Sequence, residues 1–180
     1  MACVDLRGRS VLVVGGGRVA LEKVNGLLDC EAHVTVVAPS VDEELRRLPV
    51  RIVLRAFEAA DVDGPLLVIA ATDDRAVNQA VSAAAAERST LCNVADDPEL
   101  CSFILPALVR RDPIVVGVST GGASPALAQR IRDDISDLVR PEHAELARRL
   151  QALRPWAKHE LPTYEARRDY FARLVAEALP

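Results

Sequence analysis

The sequence predicts an α/β fold in which a parallel, doubly wound sheet is followed by a hairpin and a closing set of helices. Three observations lead there. Short β-branched runs alternate with helical stretches over residues 1–99, a glycine-rich turn (Gly15-Gly16-Gly17) follows the first run, and beyond Pro98 the pattern changes to two adjacent apolar runs and then to helices alone.

Residues 11–14 form the first run, and residues 18–28 place Val19, Lys23, Leu27 and Leu28 at helical spacing. Residues 33–38, stopped by Pro39, give a second strand, and residues 52–54 and 66–71 a third and a fourth. Residues 73–87 are alanine-rich and open with two acids, which suits a helix amino end, and residues 90–94 supply a fifth strand. Residues 102–109 and 114–119 then read as a hairpin turning at Arg110-Arg111-Asp112-Pro113. Ser124-Pro125 has the chemistry of a helix start, residues 126–138 continue that helix, and residues 141–179 predict two or three more.

A chain of 180 residues that is 50% hydrophobic buries a core without disulfides or metals. Its formal charge of -4 gives no basic footprint for nucleic acid, and 3% aromatic content gives no stacking platform for single strands. Charge is uneven: residues 140–180 carry 8 basic and 6 acidic side chains against 14 and 20 before them, so the tail is the better place to meet an acidic ligand. No run of 18 apolar residues offers a membrane span, and Asp5, Arg7 and Arg9 interrupt the amino terminus, so neither membrane nor export is expected. Cys3, Cys30, Cys92 and Cys101 form no C-x-x-C pair and read as reduced thiols of a cytoplasmic protein. His33, His143 and His159 form no ligand cluster, so no metal is expected.

Gly15-x-Gly17-x-x-Ala20 matches the dinucleotide fingerprint G-x-G-x-x-G/A of Rossmann-like sheets. One glycine makes the tight turn, one lets the backbone reach a pyrophosphate, and the small third residue permits close packing of helix on strand. The acid that would bind the ribose 2′-hydroxyl is replaced by Ala38-Pro39-Ser40, and no arginine stands there to favour a 2′-phosphate, so NAD is expected over NADP. Thr72 and Asp73 follow the fourth strand at the carboxyl edge, where they either meet the nucleotide or cap the next helix. Asn93, Asp96 and Asp97 follow the fifth strand at the same edge. A carboxylate there can accept a proton, although two acids before Pro98 are on spacing alone more often turn residues.

Five segments in this order carry a resemblance: 13–20 with Lys23, 70–74 with Asn78, 92–96, 102–106 and 119–125. Over residues 5–138 the chain resembles the precorrin-2 dehydrogenase family, the dehydrogenase and ferrochelatase part of siroheme synthase. The resemblance implies NAD-dependent oxidation of precorrin-2 to sirohydrochlorin with Asp96 as acid/base, and in some members a ferrochelatase activity. It implies nucleotide contacts at Arg18, Val19, Pro39 and Ser40, beside the fingerprint glycines Gly15 and Gly17. Thr72 and Asp73 are expected beside them, and Asn93, Ser119, Thr120, Gly121 and Gly122 are expected to contact the tetrapyrrole. It also implies an intertwined homodimer, and no methyltransferase domain of the longer members is expected within these residues.

The expected organisation is therefore an NAD-binding Rossmann-like domain (1–99), a hairpin-containing dimerisation segment (100–139) and a small helical C-terminal domain (140–180). The apolar hairpin would leave exposed strand edges in a monomer, and pairing across a two-fold covers them. Two other readings stay open: a bifunctional dehydrogenase and ferrochelatase, and an NAD-sensing regulatory module without chemistry.

Overall fold

The computed structural model describes residues 3–179, which pack as two compact units meeting in sequence between Leu105 and Pro106. In the first unit five parallel strands, β1 (Ser10–Val14), β2 (His33–Val37), β3 (Arg51–Val53), β4 (Leu67–Ala70) and β5 (Leu91–Val94), lie in the order β3-β2-β1-β4-β5. The chain steps outward from β1 to β3 and then returns to the other side of β1. That reversal opens a crevice beyond the carboxyl ends of β1 and β4, where Val14 pairs with Ala70.

The central strand has no polar face because both of its faces are covered. Val11 and Val13 pack in one cluster with Ala20, Val24 and Leu27 of α1 (Arg18–Leu28), while Leu12 and Val14 pack in the other with Val81, Ala84 and Ala85 of α3 (Arg75–Glu87). The two-residue period of a strand thus feeds two helical layers. Ala20, fully buried, is the small third residue of the fingerprint and lets α1 sit close on the sheet. A short α2 (Glu43–Arg46) follows β2, with Glu43 and Glu44 exposed. Between β3 and β4 the chain makes only a 3₁₀ turn, Ala59–Val62.

The second unit begins with an antiparallel hairpin, β6 (Ala107–Arg111) and β7 (Ile114–Val118), on which α4 (Pro125–Leu138) packs. The hairpin starts later than the apolar pattern of residues 102–109 predicts. Ser102 is held to β5 instead: its N–H donates to the Cys92 carbonyl at 2.8 Å and its Oγ accepts from the Cys92 N–H at 2.7 Å. Arg110 and Arg111, expected in the turn, lie in β6, where Arg111 pairs with Ile114. Two helices close the chain, α5 (Pro141–Glu160) and α6 (Tyr164–Ala178). Ser124 and Thr163 cap α4 and α6 by accepting the Leu127 and Ala166 N–H groups. No helix among the described residues is long and apolar enough to cross a membrane.

Candidate nucleotide and active site

A cavity of about 650 Å³ opens at the carboxyl edge of the sheet, within the first unit. Its wall is built from the turn after β1, the segments after β2 and β3, the loop after β4 with Val77 of α3, and Ala95 and Asp96 after β5. Gly15, Gly17, Arg18, Val19, Pro39, Ser40, Thr72, Asp73 and Asp96 all line it.

The three glycines of the turn do different things. Gly15 has φ 122, and a Cβ there would collide with the Ala71 carbonyl oxygen, so this position is glycine for the sake of the fold. Gly16, which the fingerprint leaves open, is equally constrained, since a Cβ would run into the Ser40 carbonyl. Gly17 has an ordinary φ of -91 and nothing within 4 Å of a Cβ position. The bare backbone at Gly17 is therefore free for a close-approaching ligand. No side chain caps α1 and no acid stands in its first turn, so its amide groups and positive dipole end face the cavity side unneutralised. This arrangement fits a pyrophosphate.

The loop after β4 is shaped by its own polar groups. The Thr72 hydroxyl donates to Asn78 Oδ1 at 2.9 Å, and Asn78 Nδ2 donates to the Thr72 carbonyl at 3.0 Å. Asp74 caps α3, accepting from the Ala76 and Val77 N–H groups at 2.8 and 3.3 Å. Of the two acids here, Asp74 is the helix cap and Asp73 is exposed on the cavity wall.

Asp96 and Asp97 also part company. Asp97 turns toward Arg75, Oδ2 to Nε 3.7 Å. Asp96 has φ 61, in the left-handed region that a non-glycine residue enters rarely. Its carboxylate has no hydrogen-bond or ion-pair partner among the described residues. Asp enters this region more readily than most residues, and at Asp96 the left-handed turn falls on the cavity wall.

Asn93 is buried and does not line the cavity; its Nδ2 donates to the Phe103 carbonyl at 3.0 Å. Ser119, Thr120, Gly121 and Gly122 belong to the second unit, between β7 and α4. There the Ser119 Oγ accepts from the Gly121 N–H, Thr120 Oγ1 accepts from the Ser124 N–H, and both glycines have positive φ. Burial pushes the Cys92 thiol up to about 11, so it stays protonated and is no nucleophile. No group of three His, Cys, Asp or Glu side chains among the described residues could hold a metal ion. Sequence reasoning missed Ala56 and Phe57, which line the cavity after β3, although their place at the carboxyl end of a strand is the signal that finds them.

Residues 2–107 match the family model described as "Putative NAD(P)-binding". The chain belongs to this family. Residues 111–138 of this NAD(P)-binding chain match a second model, "Sirohaem biosynthesis protein central". Among curated proteins it is 45% identical over 174 residues to "Siroheme synthase" of Thioalkalivibrio sulfidiphilus, covering 94% of this chain and 36% of that one. It is 44% identical over 176 residues to "Siroheme synthase" of Methylococcus capsulatus, covering 96% and 37%. The chain thus spans a little over a third of the length of these relatives. A solved structure, "SirC, precorrin-2 dehydrogenase", superimposes with a TM-score of 0.81 at 28% identity, covering 97% of this chain and 88% of that one.

Proposed function

We propose that this chain is an NAD-dependent dehydrogenase that oxidises precorrin-2 to sirohydrochlorin. The observation that carries the reading is the place of Asp96, an unpartnered carboxylate at a left-handed turn position on the wall of the cavity that the glycine turn opens. The likeness to siroheme synthases and to a precorrin-2 dehydrogenase supports the substrate.

Bound NAD supplies a hydride acceptor at its nicotinamide ring. The chain's residues do the rest. Amides at the start of α1, at Arg18 and Val19, hold the pyrophosphate, and the bare backbone of Gly15 and Gly17 lets it approach. Pro39 and Ser40 meet the adenosine ribose without an acid or an arginine, which favours NAD over NADP, while Thr72 and Asp73 close the cavity from the β4 side. The macrocycle loses one hydride and one proton, and Asp96 accepts the proton. Asn93, expected at the substrate, is buried instead and holds the Phe103 carbonyl. Ser119, Thr120, Gly121 and Gly122, in the loop before α4, are the second unit's own candidates to meet substrate carboxylates.

The active form is a cytoplasmic homodimer. Val115 of β7 and Leu127 and Ile131 of α4 are exposed apolar residues of the second unit, and a two-fold copy covers such a surface. The test is an absorbance time course of precorrin-2 with NAD, repeated with NADP and with ferrous iron as a candidate substrate. The proposal expects sirohydrochlorin and NADH in equal amounts, faster with NAD than with NADP and with no need of iron. No cofactor-dependent change in the precorrin-2 spectrum overturns it.

A further inference from the structure

The turn that carries Asp96 is weakly closed by its own backbone. The Asp97 N–H reaches the Val94 carbonyl at 3.4 Å, beyond the usual range of N–H to oxygen bonds. Yet Asp96 within it holds φ 61. A second tie comes from a residue that does not line the cavity. The Val94 N–H donates to Cys101 Sγ at 3.1 Å, and the single Cys101 S–H lies between two carbonyl acceptors, Val94 and Asp97, each 3.3 Å from the sulfur. Sulfur therefore touches both ends of the turn, where its long bonds and large radius span a gap that backbone alone closes poorly.

We propose that Cys101 is a positioning residue for Asp96, its thiol bridging Val94 and Asp97 so that the intervening carboxylate is held toward the cavity. Its own place is over-determined. The Cys101 N–H donates to the Pro98 carbonyl at 3.2 Å, and the next residue, Ser102, is bonded to Cys92 through both backbone and hydroxyl. Asn93 Nδ2, 3.5 Å from the same sulfur, braces it from the strand side while donating to Phe103. From α3, Arg75 holds the Asp97 side chain. The turn is thus anchored at both ends, and Asp96 is the one acid in it left without a partner among the described residues.

This inference rests on the proposed role of Asp96 as proton acceptor, and the test separates the two. Turnover, KM, NAD affinity and amide exchange at Val94 and Asp97 are measured on the full chain for Cys101→Ala, Cys101→Val, Cys101→Ser, Asp96→Asn and Asp96→Asn/Cys101→Ala. Cys101→Val also removes the hydrogen bonds but slightly overfills the site instead of leaving a gap, so it serves where the alanine variant is too unstable to purify. The expected result is a loss in kcat of about 10- to 100-fold for Cys101→Ala and Cys101→Val, with NAD affinity unchanged. Faster exchange at Val94 and Asp97 accompanies it, and Cys101→Ser, which can still donate and accept, recovers most of both. In the Asp96→Asn background, Cys101→Ala lowers kcat no further, because the group it positions is already gone. An equal loss in both backgrounds, or unchanged kcat in folded Cys101→Ala and Cys101→Val while Asp96→Asn is inactive, overturns the positioning role alone. Full turnover in Asp96→Asn overturns the role of Asp96 and the inference with it.

Discussion

Asn78 and Thr72 bind each other twice, Nδ2 to the Thr72 carbonyl and the Thr72 hydroxyl to Oδ1, across six positions of sequence. Asn78 is only 7% exposed, so a helix residue that looks polar in the sequence is in fact a buried clamp. It sets the direction in which the chain leaves β4 and passes along the cavity.

Asn78→Ala takes away the Asn78 Nδ2 donor of the Thr72 carbonyl, while the Thr72 hydroxyl keeps the Asp74 carbonyl as acceptor. We expect a loss of about 1–3 kcal/mol in stability by urea unfolding. The loosened loop should also weaken NAD by about tenfold in titration calorimetry. Unchanged affinity in a destabilised variant would make the clamp purely structural.

Gly17→Val is the discriminating test of the phosphate site. A Cβ at Gly17 meets nothing within 4 Å, so the variant should fold, at a cost of about 1 kcal/mol for replacing glycine at the start of α1, and lose NAD binding. Gly15→Val, by contrast, collides with Ala71 and should fail in folding before binding can be read. Normal NAD affinity in folded Gly17→Val contradicts the placement of the pyrophosphate.

The Arg55 guanidinium, bonded to Asp61 at 2.8 and 2.5 Å, holds the Asp61 carboxyl below the usual carboxylate range, and the Glu58 N–H adds to the effect. The folded state then binds fewer protons at this group than the unfolded chain, whose Asp titrates at about 3.9. Its stabilisation is complete above that value and disappears as pH falls through the lower folded one. The stability gap between Asp61→Asn and the parent chain should stay constant from pH 6 down to about 4 and narrow from there toward pH 2 in urea titrations. A constant gap would contradict the assignment.

Much of this was legible in the sequence because the signals are local. The strand, Gly15-Gly16-Gly17 turn and helix sit within one continuous segment, and the burial of Ala20 follows from the fingerprint. The pairing of Asp97 with Arg75 and of Cys101 with Val94 was not legible, since neither follows from local spacing. The hairpin start was misplaced for the same reason: residues 102–105 are as apolar as a strand, but Ser102 is committed to Cys92, ten positions earlier. Gly16 was passed over because the fingerprint describes what the ligand needs, whereas Gly16 answers to Ser40 of the protein itself.

The proton-accepting role of Asp96 is the central claim, and Asp96→Asn measures it most directly. Asn tolerates left-handed backbone as well as Asp does, so the turn survives and only the base is lost. With saturating NAD and precorrin-2, kcat should fall by about 10²- to 10⁴-fold while NAD affinity and unfolding midpoint stay close to those of the parent chain. Asp97→Asn, whose carboxylate faces Arg75 instead of the cavity, should lose far less. Near-normal turnover in Asp96→Asn, or an equal loss in both variants, would contradict the account.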